Sequence, residues 1–119
     1  MENNLEIVSV QVGAVAGTVV RPLFRVPSGF GGITLTNVWL ACGAAATSVL
    51  QLVNLGTALG TAVSSVVGTL NGTMVANVQQ AIAVTTAYQA EGTWLGIKTL
   101  AGGGLDTVSN VTVEFAYGK

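Results

Sequence analysis

Along most of the 119-residue chain, apolar and polar residues alternate with period two, and a helical stripe is rare, which predicts half-buried strands. The C-terminal run is the clearest case: Val111, Val113, Phe115 and Tyr117 fall on one side, and Thr112, Glu114 and Ala116 on the other. The first strand behaves likewise, with Val8, Val10 and Val12 opposed to Ser9 and Gln11. A strand over residues 18–26 groups Val20, Pro22, Phe24 and Val26 on one face and Arg21 and Arg25 on the other. Because Pro22 has no amide donor, this strand is expected at a sheet edge, or irregular at that point.

Residues 27–32, Pro-Ser-Gly-Phe-Gly-Gly, form a turn cluster whose glycines permit positive φ and whose proline presets the chain direction. A strand over residues 33–41 follows, and further strands are expected over 48–53, 62–67, 82–86 and 93–100, separated by Gly56, Gly60, Gly68, Gly72 and Gly92. Within residues 73–90 a helix competes, since Gly and Pro are absent and Met74, Val78, Ala81 and Tyr88 fall at near-helical spacing; a strand with loops ranks above it. About eight short strands with evenly spaced turns describe an all-β domain, an antiparallel β-sandwich or jelly roll. The length allows one such domain over residues 1–119 and leaves no material for a second core.

Charge changes the picture. Residues 26–90 contain no Lys, Arg, Asp, Glu or His, and charged residues make up 8% of the chain, against roughly a quarter in ordinary soluble domains. Either lipid or other protein must cover or tolerate such a surface. A spanning helix needs about 20 consecutive apolar residues. The best window, residues 33–53, is broken by Thr34, Thr36, Asn37, Gly43, Thr47, Ser48 and Gln51 and has no flanking Lys or Arg, so the expectation is protein and no membrane partner. Met1-Glu2-Asn3-Asn4 lacks the positive start of a secretory peptide. Net charge is −1, with only Arg21, Arg25, Lys98 and Lys119 positive, so no basic face is available for nucleic acid.

Candidate chemistry is sparse. Without histidine the commonest general base is missing, as are zinc sites of the Cys/His type, and Lys98, the one interior lysine, sits in no Ser-x-x-Lys spacing. Glu2, Glu6, Glu91, Asp106 and Glu114 are scattered singly, and a pairing of Glu91 with Asp106 ranks below solvated turn residues. Residues 101–106, Ala-Gly-Gly-Gly-Leu-Asp, lack the Gly-Lys-Ser/Thr ending of a phosphate loop and read as a hairpin loop. Asn71-Gly72-Thr73 and Asn110-Val111-Thr112 match the glycosylation pattern and are taken as chance. Cys42, the single cysteine, reads as a small buried hydrophobe beside Trp39, Leu40 and Ala41. The expectation is a non-enzymatic protein with no catalytic, cofactor or metal residues.

The aromatic residues offer one alternative. Alternation gives Trp39 the side of Ile33 and Leu35, hence the core, whereas Trp94 alternates against Leu95 and Ile97 and shares its side with Lys98. Trp94 and Tyr88 are therefore the residues that could stack on sugar rings, although core or interface packing is the preferred reading. Leu5 and Ile7, abruptly apolar after the polar start, suit a subunit interface together with Trp94. Residues 1–7 could extend as an arm onto a neighbour's sheet edge, or form an ordinary first strand with a frayed tip.

The C-terminal third carries a resemblance. Ala90-Glu91-Gly92-Thr93-Trp94-Leu95-Gly96-Ile97-Lys98, a Gly-rich loop and Val111-Thr112-Val113-Glu114-Phe115-Ala116-Tyr117-Gly118-Lys119 together resemble small virion structural proteins of tailed bacteriophages, of the β-sandwich or jelly-roll type that decorates or cements capsids or forms head fibres. Phe24-Arg25-Val26-Pro27 opening into Gly-rich turns is compatible with it. The resemblance implies a capsid decoration or cement protein, a homo-oligomer with a trimer favoured, located on the virion surface with the major capsid protein as partner. A carbohydrate-binding module of a tail fibre or spike is the alternative, and a tail or neck subunit a third.

Overall fold

The computed structural model describes residues 5–12, 20–43, 50–59, 62–70, 75–99 and 109–119. Among these residues no helix occurs, so the helix that competed over 73–90 is not formed where that segment is described. The strands are β1 (Leu5–Val12), β2 (Val20–Arg25), β3 (Ile33–Cys42), β4 (Leu50–Asn54), β5 (Ser65–Thr69), β6 (Gln80–Ala81), β7 (Ala83–Val84), β8 (Tyr88–Gln89), β9 (Trp94–Thr99) and β10 (Ser109–Tyr117). They form two five-stranded antiparallel sheets. The first runs β1-β10-β3-β6, with β8 also on β3, and the second runs β2-β9-β4-β5-β7. With β6 and β8 counted as one interrupted strand and β7 as an addition, the chain changes sheet in the order of a jelly roll.

The sheets face each other through one apolar cluster. Ile33, Leu35, Val38, Leu40, Val111, Val113 and Phe115 come from the first sheet, and Leu50, Leu52, Val67, Leu95 and Ile97 from the second. Val26 and Leu70 add to it from just beyond β2 and β5. Cys42 is buried in this cluster, and its thiol donates to the Val75 carbonyl at 3.5 Å.

Two departures from strict alternation reset which residues face inward. The ladder between β10 and β3 pairs Phe115 with Leu35 but Glu114 with Asn37, so Thr36 is an extra residue. That bulge turns Val38, Leu40 and Cys42 to the core and places Trp39, half-buried, on the outer face. The expectation that Trp39 lies in the core with Ile33 and Leu35 is thus overturned. Between β2 and β9 the register shifts between Pro22 and Phe24. Pro22 lies opposite Gly96, whereas Phe24 lies opposite the buried Leu95, so the two do not share a face as their spacing predicts. The irregularity falls at the proline, and β2 is an edge strand in the described residues, as the missing amide requires.

Residues 80–89 close one side of the sandwich. Gln80 and Ala81 pair with β3, Ala83 and Val84 cross to pair with β5, and Tyr88 and Gln89 return to β3. The crossing brings the Ala83 carbonyl so close to Gly68 that a Cβ there would lie 2.5 Å from the oxygen, which is why β5 has a glycine at that point. A buried polar cluster joins the two sheets nearby. The Asn54 amide donates to Gln89 Oε1 at 2.7 Å and Thr93 Oγ1 at 3.0 Å, Asn54 Oδ1 accepts from the Gly56 amide at 2.8 Å, and Gln89 Nε2 donates to the Thr86 carbonyl at 2.8 Å.

Candidate assembly surface

Among the described residues, the side opposite the crossing strand is open. There β1 pairs only with β10 and β2 only with β9, and no strand among the described residues covers the far edge of either. Val8, Leu23 and Phe24 pack on the core from this side but stay half-buried. Unpaired edges present backbone donors and acceptors to any strand that approaches, and natural edges are usually guarded by proline, bulges or charge. β2 has all three guards, in Pro22, its register shift, Arg21 and Arg25. β1 has an unbroken eight-residue register with β10, no proline, and Glu6 as its one charge.

Alternation sets what β1 presents. Val8, Val10 and Val12 turn inward, while Leu5, Ile7, Ser9 and Gln11 turn out with Ala116, Glu114, Thr112 and Asn110 of β10 beside them. Leu5 and Ile7 are 51% and 63% exposed, high for large aliphatic side chains next to a buried core. Ser9 and Thr112 share a hydroxyl hydrogen bond of 3.0 Å across the pair. Leu5 to Ile7, the inner part of the segment read as an arm, pair with Ala116 to Glu114 of the chain's own sheet; residues 1–4 lie outside the described residues.

At the Leu5 end, aromatic rings step from core to surface. Phe24 stacks on Phe115 at 6.2 Å between the sheets, Phe115 meets Tyr117 edge-on at 5.5 Å, and Tyr117 stacks on the exposed Phe30 at 4.5 Å. Tyr117 keeps the parity of Phe115 and pairs with the buried Ile33, yet is itself 42% exposed. A shallow open cavity of about 230 Å³ lies between Leu5, Thr34, Thr36, Tyr117 and Lys119. Lys119 places its ammonium 5.2 Å from the centre of the Tyr88 ring, whose hydroxyl donates to the Gly31 carbonyl at 2.9 Å.

Two carboxylates are spent on local structure. Glu91 Oε2 accepts from the Gly29 and Gly31 amides at 2.9 and 3.3 Å and so fixes the glycine turn between β2 and β3. Glu114 Oε1 accepts from Thr36 Oγ1 at 2.7 Å and Asn37 Nδ2 at 3.0 Å. The Thr36 bond first and the Asn37 bond second hold its carboxyl below the usual glutamate range, against a smaller opposing effect of desolvation. Among the described residues no group of His, Cys, Asp or Glu could hold a metal ion. The pairing of Glu91 with Asp106, residues 101–106 and Asn71-Gly72-Thr73 fall on or depend on residues outside those described.

Of the residues singled out in the sequence, Leu5 and Ile7 sit together on the outward side of β1. Trp94 is half-buried on the outer face of the second sheet, on the side of Lys98, because Leu95 and Ile97 face the core. Tyr88 pairs with Thr34 on the first sheet. Trp94 and Tyr88 therefore belong to different sheets and form no joint stacking platform, and Trp94 lies apart from Leu5 and Ile7. Spacing gave no sign of Phe30, Tyr117 and Lys119 as neighbours, since their proximity comes from the turn that Glu91 holds and from the end of β10. No protein-family model matches the chain, and no curated protein or solved structure does either.

Proposed function

We propose that this chain is a non-enzymatic structural subunit of a virion, a capsid decoration or cement protein that binds the major capsid lattice of a tailed bacteriophage and stabilises it. The observation that carries the reading is the unguarded edge of β1, with Leu5 and Ile7 exposed beside it, on a chain whose middle 65 residues, 26–90, carry no charge. Such a surface keeps contacts with neighbouring subunits open and puts little repulsion between copies. The jelly-roll strand order is compatible with capsid proteins and with many others, so the fold alone does not select the role. The resemblance of residues 90–98 and 111–119 supplies the choice of particle.

The test is reconstitution. Purified chain is mixed with capsids assembled without it, and the particles are pelleted and then heated. Co-sedimentation at fixed stoichiometry, with a raised disruption temperature, is expected. Absence from the pellet at saturating concentration would remove the capsid role.

A further inference from the structure

We propose that the edge of β1 pairs antiparallel with β1 of a second copy of this chain, about a two-fold axis through Ile7, so that the first sheets of both copies become one continuous sheet. The occupant must be a strand, because what the edge lacks among the described residues is backbone partners, and the contrast with the guarded β2 marks β1 as the edge left available.

Symmetry and charge select the second copy and the register. In an antiparallel pair, directly opposed residues exchange both hydrogen bonds or neither. A two-fold pairing of identical strands therefore opposes residues of equal parity, and the axis passes through a residue. Glu6 and Arg21 both turn toward the open gap between the sheets, since Glu6 is paired with the buried Phe115 and Arg21 with the buried Ile97. Neither has an ion-pair partner among the described residues.

Their levels along the strands follow from the packing. Phe24 stacks on Phe115, which puts Phe24 at the level of Glu6. Arg21 is two rungs away, because Arg21, Pro22 and Phe24 oppose Ile97, Gly96 and Leu95 in turn. Two rungs along β1 toward Val12, the end from which the chain passes to β2, stands Val8. Only an axis through Ile7 sets the second copy's Glu6 opposite Val8, and hence at the level of Arg21. The same register lays the two Ile7 side chains against each other on the outer face and opposes Leu5 to Ser9. It repeats the Glu6 to Arg21 approach twice, once on each side of the axis.

The pairing is tested by thiol cross-linking and a charge swap. Directly opposed residues have Cβ atoms about 4.5–5.5 Å apart. Mild oxidation of Ile7→Cys is expected to give a covalent dimer, whereas Ser9→Cys, which faces Leu5, stays monomeric on a denaturing gel. Cys42 is buried and does not compete. Glu6→Arg and Arg21→Glu, both at exposed positions, are each expected to raise the dimer dissociation constant roughly tenfold or more, and the double variant to recover it. Circular dichroism checks that each variant keeps its strands. A wild-type protein that sediments as a monomer or trimer, a cross-link in Ser9→Cys in place of Ile7→Cys, or a double variant no better than the single ones would overturn the proposal. It does not rest on the virion reading: capsid binding tests that reading, and this pairing is read in the free protein.

Discussion

Glu114 lies on the outward side of β10, yet two residues of β3 hold its carboxylate, and both are placed by the bulge that sets Thr36 and Asn37 side by side. Hydrogen bonds to the charged form lower the carboxyl pKa below its value in the unfolded chain. The linked stability is therefore fully present above the ordinary glutamate range and is lost as pH falls through the lower, folded-state midpoint. An NMR titration of the Glu114 side chain is expected to give a midpoint below ordinary glutamate, moving back up in Thr36→Val. A midpoint indifferent to that substitution would show that Thr36 is not the main cause. At the same scale, Asn54 satisfies Gln89, Thr93 and the Gly56 amide in a site where Asn54 and Gln89 are both buried. Asn54→Ala leaves these groups short of partners and is expected to cost about 2–4 kcal/mol in chemical denaturation. A loss under about 0.5 kcal/mol, typical of surface changes, would mean that water replaces the amide.

Among the elements, the crossing of residues 80–89 is what closes one side of the sandwich, and Gly68 is where it fits. Gly68→Ala forces its new methyl against the Ala83 carbonyl, so β7 or β5 must shift. The expected loss is about 1–3 kcal/mol, with faster amide exchange at Thr85 and Thr86, which both donate to the Val67 carbonyl. Unchanged exchange there would uncouple the crossing from Gly68. The longer strands were legible in the sequence because apolar and polar residues alternate along them, and the turns because Gly and Pro punctuate them. β3, β9 and β10 fall within two residues of their expected bounds, and Val8, Val10 and Val12 turn inward as their spacing predicts, although β1 begins three residues earlier, at Leu5. Trp39 and Pro22 were misplaced for one physical reason. A single extra residue in one strand inverts every later position, and neither Thr36 nor Leu23 differs in type from an ordinary strand residue. The split of one strand into β6 and β8 by a crossing was likewise invisible, since Gln80-Ala-Ile-Ala-Val84 reads as one run while its hydrogen bonds go to two sheets.

On the scale of the whole molecule, the described residues close one side of the sandwich and leave the other open between a guarded strand and an unguarded one. The uncharged stretch, first a puzzle about what covers the surface, resolves where it is described into strands whose apolar residues face a core and whose outer faces carry hydroxyls, amides and the half-buried Trp39. Leu5 and Ile7 stood out in the sequence because they turn abruptly apolar after a polar start, and the structure places both exposed on the outward side of β1. Which edge is open depends on topology, and no single segment encodes it. The proposed association through β1 is tested most directly by sedimentation velocity of the wild type beside Ile7→Lys. Position 7 is 63% exposed, so the lysine is tolerated by the fold while it adds a guarding charge on the outward side of β1, where none stands. A concentration-dependent dimer is expected for the wild type and a monomer for the variant at the same concentrations, whereas equal masses for the two would contradict association through β1.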